Sequence, residues 1–177
     1  MARRYDKQRF RELVIYITAQ TADDDTFADT HLNKALFHSD FTAYAQLGDS
    51  ITGAPYQKLE WGPAATCLLP ARRGMVADGL LEVREPTADV MQRITTPRRP
   101  PKPQTFTPHE LAIIDEVITG LRGKTASQVS AESHRHPGWQ LVELTEEIPY
   151  ATALISTRPA QNEVKELGRS LATRFGW

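Results

Sequence analysis

His31-Leu-Asn-Lys-Ala-Leu-Phe-His-Ser-Asp-Phe-Thr-Ala-Tyr44 is the stretch that decides the fold. Leu32, Leu36 and Ala43 form one apolar stripe at helical spacing, and Phe37, Phe41 and Tyr44 form a second. A helix that is apolar around most of its circumference belongs at the centre of a bundle. The expected helix starts near Asp29 or Thr30, either of which can cap it, and runs to about Gln46 before Gly48. Asn33, Lys34, His38 and Asp40 must then fall between the stripes or carry buried hydrogen bonds, because an unpaired buried polar group costs about 1–3 kcal/mol.

Upstream, a helix from about Asp6 to Thr21 places Phe10, Leu13, Val14 and Ile17 on one face and charges on the other. Asp23, Asp24, Asp25 and Asp29 lack the Gly and distal Glu of a calcium loop and read as a solvated loop. Downstream, Ser50 to Pro63 shows no helical period and reads as an ordered loop, with Gly53 and Gly62 suited to positive φ. Pro63 is expected to open a third helix through Asp78-Gly79. Leu80–Arg84 and Val90–Ile94 read as a small β-hairpin, roughly residues 80–95. The proline-rich run from Pro97 to Pro108, with Arg98, Arg99 and Lys102, reads as a stiff surface strap.

Thr107-Pro-His-Glu110 and Thr125-Ala-Ser-Gln128 are capping-box starts. The first opens a helix with Leu111, Ile114, Val117, Ile118 and Leu121 inward and Gly123 at its end. The second opens a shorter one to about Arg135, followed by His136-Pro-Gly-Trp139. Pro159 opens a last helix, about 159–175, with Val164, Leu167, Leu171 and Phe175 on one side. The expected fold is mainly α: one domain over 1–177, a compact bundle of about six helices with a small β-hairpin. Leu32, Leu36, Phe37, Phe41, Leu111, Ile114, Ile118 and Leu167 are its expected core.

Composition removes several functions. The 177 residues carry 21 Lys+Arg against 22 Asp+Glu, a net charge of −1, so no excess of positive charge points to nucleic acid. The longest apolar run, Leu13 to Ile17, is far short of the ~20 residues that span a membrane. Basic residues precede it, but Asp23-Asp24-Asp25 follow closely, which favours a helix over a signal peptide. Cys67 has no partner for a bridge, so a reducing, cytoplasmic setting is expected.

Among the five histidines, His31, His38, His134 and His136 form the most metal-like set. Lys34 projects between His31 and His38, where its ammonium repels a cation, and His134 with His136 is better read as a pair of cations at a helix C-terminus. No metal and no cofactor is expected. Gly-x-Ser-x-Gly and nucleotide-cradle motifs are absent, and Cys67 sits where a buried structural thiol is usual, so the chain reads as no enzyme. Tyr56, Lys58, Trp61, Trp139 and Tyr150 remain, and such amphipathic side chains serve equally as core anchors or interface hot spots.

The same residues resemble the Panacea (SocA-like) antitoxin domain. His31 to Tyr44 is similar to that family's Leu-Asn-Lys-Leu-Leu-Tyr/Phe-x-x-Asp-Phe helix. Ser50-Ile-Thr-Gly-Ala-Pro-Tyr56 with Trp61-Gly-Pro63 resembles its Ile-Thr-Gly-x-x-Tyr loop and Gly-Pro helix start. Lys124-Thr-Ala, Ser130 to His134, Gly138-Trp139 and Ile148-Pro-Tyr150 resemble its later Ser-His, Gly-Trp and Ile-Pro-Tyr run. The pieces recur in order over about residues 8–157. Two departures are His31, where many relatives carry Lys, and Ala35 in place of Leu. The resemblance implies an antitoxin of a bacterial or phage two-gene system, prophage included, which neutralises a cognate toxin by direct binding in a homo-oligomer or toxin–antitoxin hetero-oligomer. Some relatives add a DNA-binding helix-turn-helix; none is evident here. A proteolytic adaptor that delivers the toxin to a protease is the first alternative, and a metal-dependent hydrolase built on the histidines the second. The loop Thr52–Trp61 and the turn His134–Trp139 are the expected partner surface, with Tyr56, Lys58, Trp61, His136 and Trp139 as contacts.

Overall fold

The computed structural model describes residues 3–88, 91–155, 170 and 173 of the chain. Helix α1 (Lys7–Gln20) begins at Asp6, whose carboxylate accepts the N–H groups of Gln8 and Arg9 at 2.9 and 3.0 Å. Its expected inner face, Phe10, Leu13, Val14 and Ile17, is buried. So, however, are Glu12, Ile15, Tyr16 and Thr18 on the side expected to be charged. The proline-rich strap covers Glu12 and Tyr16. Glu12 accepts from Arg99 Nη2 and from the Lys102 N–H, both at 2.5 Å, and Phe106 meets the Tyr16 ring edge-on at 6.1 Å. Arg9 reaches the strap as well, donating to the Thr105 carbonyl at 2.5 Å.

Helix α2 (Asp29–Leu47) is the central element, packed by α1, α4 (Pro108–Leu121) and α5 (Ala126–Ser133). Phe37 and Phe41 are fully enclosed, and burial of each stabilises the fold by about 1.5–3 kcal/mol. Leu32, Leu36, Ile114 and Ile118 are buried as expected, and Leu111 is partly so. The cap differs from expectation: Ala28, with no side-chain bond, precedes α2. The first N–H groups find acceptors elsewhere, Asp29 N on the Arg93 carbonyl at 3.0 Å and Thr30 N on Gln92 Oε1 at 3.1 Å, while the Asp29 carboxylate pairs with Arg72. Both capping boxes, Thr107 with Glu110 and Thr125 with Gln128, are formed.

Two corrections concern β structure. Within the expected loop of residues 50–63 lies a second hairpin, β1 (Tyr56–Leu59) paired antiparallel with β2 (Gly62–Ala65). Pro63 therefore sits in a strand, and α3 (Leu68–Ala77) starts five residues beyond it. Pro63 faces Lys58, whose N–H and C=O turn away to Glu146 and Thr145 at 2.9 and 2.8 Å, so no ladder bond is asked of the proline. The anticipated hairpin exists as β3 (Leu81–Arg84) and β4 (Ile94–Pro97), its second strand four residues later than expected. Residues 92 and 93 cap α2 instead of joining the ladder, and Val90 lies outside the described residues. After α5 comes the five-residue helix α6 (Pro137–Leu141), where a turn was expected, and then a 3-10 turn at Tyr150–Leu154. The apolar face of the expected helix 159–175, Leu167 included, lies outside the described residues. The described part is mainly α with two small hairpins.

Candidate functional site

The polar residues of α2 build the framework on which the candidate surface stands. Asp40 is wholly buried and accepts from the Thr52 N–H at 2.7 Å, the Thr52 hydroxyl at 2.5 Å and the Tyr56 hydroxyl at 2.8 Å. Burial pushes its carboxyl above the ordinary value, against the pull of these three donors. Six residues earlier, buried Lys34 donates to the Trp61 carbonyl at 2.5 Å and to the Pro63 carbonyl at 3.4 Å. With desolvation and no carboxylate beside it, its ammonium is lowered to about 8. Lys34 thus holds the tip of the β1–β2 hairpin from within the core, and Asp40 holds the hairpin's approach.

Gly62 makes that hold feasible. Its φ is +101°, and a Cβ there would lie 2.3 Å from Ser133 Oγ and 2.8 Å from Lys34 Nζ. Gly53, at φ +67°, is pressed against the Arg3 carbonyl in the same way. Gly138 is closed in by Ile148 and Thr152, each 2.4 Å from where its Cβ would stand. Tyr150 donates to the Ala54 carbonyl at 2.7 Å and stacks on Phe41 at 4.6 Å.

Of the five expected contacts, Tyr56 is enclosed, 1 % exposed, with its hydroxyl on Asp40. His136 is half-buried as the N-cap of α6: Nδ1 accepts from the Gly138 N–H at 3.0 Å, and the ring meets the edges of Phe37 and Phe41. The remaining three share one side of the molecule. Trp139 donates through Nε1 to the Leu59 carbonyl at 3.1 Å and stacks on His134 at 4.0 Å. Lys58 Nζ lies 4.4 Å from the Trp139 ring centroid and donates to the Val142 carbonyl at 2.8 Å. Trp61, at the tip, is 70 % exposed, although its own carbonyl is doubly held by Lys34 and by the Ser130 hydroxyl at 3.1 Å. The loop and the turn therefore do meet, through Leu59 and Trp139.

Leu141, the last residue of α6, and Leu144 beyond it continue this side with 65 % and 57 % exposure. Composition of the stretch alone could not single them out, because an apolar residue at the end of a short helix reads equally as core.

The histidines are apart in role. His31 Nε2 pairs with the Lys124 carbonyl at 2.8 Å. Burial lowers His38 and His136 to about 4 and moves His134 in the same direction; His136, whose Nδ1 accepts the Gly138 N–H, serves as an N-cap and not as a helix-end cation. Among the described residues no three His, Cys, Asp or Glu gather where they could hold a metal ion. Cys67 is half-buried just before α3, its thiol pushed up by burial. No helix among the described residues is long and apolar enough to cross a membrane.

Comparison with known families places residues 32–140, from the second turn of α2 through α6, in a match to the model described as antitoxin SocA-like, Panacea domain. Neither the curated proteins nor the solved structures give a match.

Proposed function

This chain belongs to the SocA-like antitoxin family that carries the Panacea domain, and from that premise we propose that it neutralises a cognate toxin by direct protein–protein contact through the Trp61 side of the molecule. The supporting observation is a division of labour. Lys34, Asp40, Thr52, Tyr56, Gly62, Gly138 and Ile148, on which the resemblance to the family rests, are buried. Trp61, fixed through its backbone and bare at its side chain, is left as the anchor that a partner can desolvate. A rigid presentation of a large aromatic lowers the ordering cost of association. Lys58 and Trp139 flank it, and the protein acts by occupancy with no catalytic step of its own.

The test is co-expression with the product of the neighbouring open reading frame. Trp61→Ala is expected to abolish growth rescue while circular dichroism and melting temperature stay near those of the parent. Rescue by this variant would place the contact elsewhere. Measurement of toxin half-life in the same cells separates occupancy, which leaves the toxin present and bound, from delivery to a protease, which removes it.

A further inference from the structure

The surroundings of Trp61 specify the chemistry of what it receives, an inference that rests on the proposed function above. On one side of the indole lies an open recess of about 290 Å³, lined by Thr30, Gln92, Ala126, Ser127 and Ser130 together with Trp61 itself. On the other side the exposed Leu141, which ends α6, and Leu144, in the segment that follows, continue the surface. That segment is fixed to β1: Lys58 N–H donates to the Glu146 carbonyl, Thr145 N–H to the Lys58 carbonyl, and Ile148 N–H to the Tyr56 carbonyl at 2.7 Å. Thr145 is held at φ +72°, a conformation uncommon for a β-branched residue. The surface is thus pre-shaped rather than a floppy loop.

Its charge is one-sided. Glu60 stands beside Trp61 at the hairpin tip, and Glu143, Glu146 and Glu147 flank Leu144, all four exposed and in no ion pair among the described residues. Of the cations nearest in sequence to the hairpin tip, to α6 and to the recess, Lys58 is turned inward to the Val142 carbonyl and the Trp139 ring, Arg93 and Lys124 are paired with Glu85 and Glu132, and Arg135 is exposed. Apolar anchors ringed by carboxylates repel an acidic partner and attract a basic one. The exposed face of Trp61 adds a cation–π site for a lysine or arginine, and the mostly apolar lining of the recess suits the aliphatic stem of such a side chain.

We infer that the Trp61 surface receives a cationic amphipathic segment of the partner, with aliphatic side chains on Leu141 and Leu144 and a lysine or arginine laid across Trp61 toward Glu60. Calorimetry with a synthetic amphipathic Leu/Lys peptide and its Leu/Glu counterpart reads this without the toxin. The expected result is binding of the Leu/Lys peptide alone, weakened by added salt and weakened roughly tenfold or more by combined Glu60→Lys, Glu143→Lys and Glu147→Lys, at unchanged melting temperature. Glu116→Lys, on α4, is expected to bind like the parent. Equal binding of the two peptides, or a triple variant that binds as the parent does, overturns the inference. In cells, a triple variant that neutralises the toxin as well as the parent keeps the antitoxin reading and overturns the cationic partner. A parent that binds the Leu/Lys peptide in the salt-sensitive, Glu-dependent way and yet fails to neutralise the neighbouring gene product does the reverse.

Discussion

His136 shows how one side chain links acid sensitivity to the candidate surface. Its imidazole is neutral because burial lowers it to about 4, and Nδ1 must remain unprotonated to accept the Gly138 N–H that starts α6. An unfolded chain takes up this proton near pH 6.5, the folded chain only near 4, so between those values the unfolded state binds more protons and stability falls as pH falls. Above about pH 7 both states are neutral there and the effect vanishes. His136→Asn retains an N-cap acceptor but not the titration. We expect its urea midpoint to drop less than the parent's between pH 7 and pH 4. Two parallel curves would show that the acid sensitivity arises at another group, His38 being the next buried imidazole lowered to about 4.

At the scale of elements, the β1–β2 hairpin is specified by contacts that its own sequence does not contain. Gly62→Ala introduces a methyl group against Ser133 and Lys34 in addition to the left-handed backbone, whereas Gly79→Ala, at φ +70°, meets nothing within 4 Å. The second substitution is expected to cost about 1–2 kcal/mol, the backbone penalty alone, and the first distinctly more, because the buried ammonium or the α5 serine must move. Chemical denaturation of both variants checks the order, and equal losses would mean that the hairpin tip yields freely. The same dependence explains what sequence reading could and could not see. The α1, α2, α4 and α5 helices were legible because apolar spacing and capping boxes are local signals. The hairpin was not: Tyr-Gln-Lys-Leu and Gly-Pro-Ala-Ala carry little strand propensity, and they pair because Lys34, Asp40 and the segment 145–148 hold them. Tyr56 was ambiguous for the same reason, since its burial is set by Asp40 across sixteen residues of separation. Trp61, Lys58 and Trp139 were legible as a group, because the loop and the turn each combined an amphipathic aromatic with a polar neighbour.

Across the whole molecule, the strap from Pro97 to Phe106 converts α1 from a surface helix into an enclosed one. The Glu12 carboxylate is its main fastening, with Arg99 and the Lys102 N–H both upon it. Glu12→Gln keeps the shape and removes the charge. The expected cost is about 1.5–3 kcal/mol, the range for a hydrogen bond to a charged group, together with faster amide exchange at Lys102 by mass spectrometry or NMR, while exchange at the centre of α2 keeps pace only with the loss of global stability. Protection at Lys102 equal to the parent's would show that the strap is held by Phe106 and the prolines alone. The strap also sets an order of events during synthesis. The α1 helix emerges from the ribosome some 90 residues before the segment that closes over it, the Glu12-to-Lys102 separation. At roughly 5–20 residues per second this is on the order of 5–20 s during which Tyr16 stands on the nascent chain without the Phe106 that covers it. A protein whose first helix waits that long for its cover is a natural client for chaperones that bind short apolar stretches, and its yield is expected to depend on them more than its final stability does.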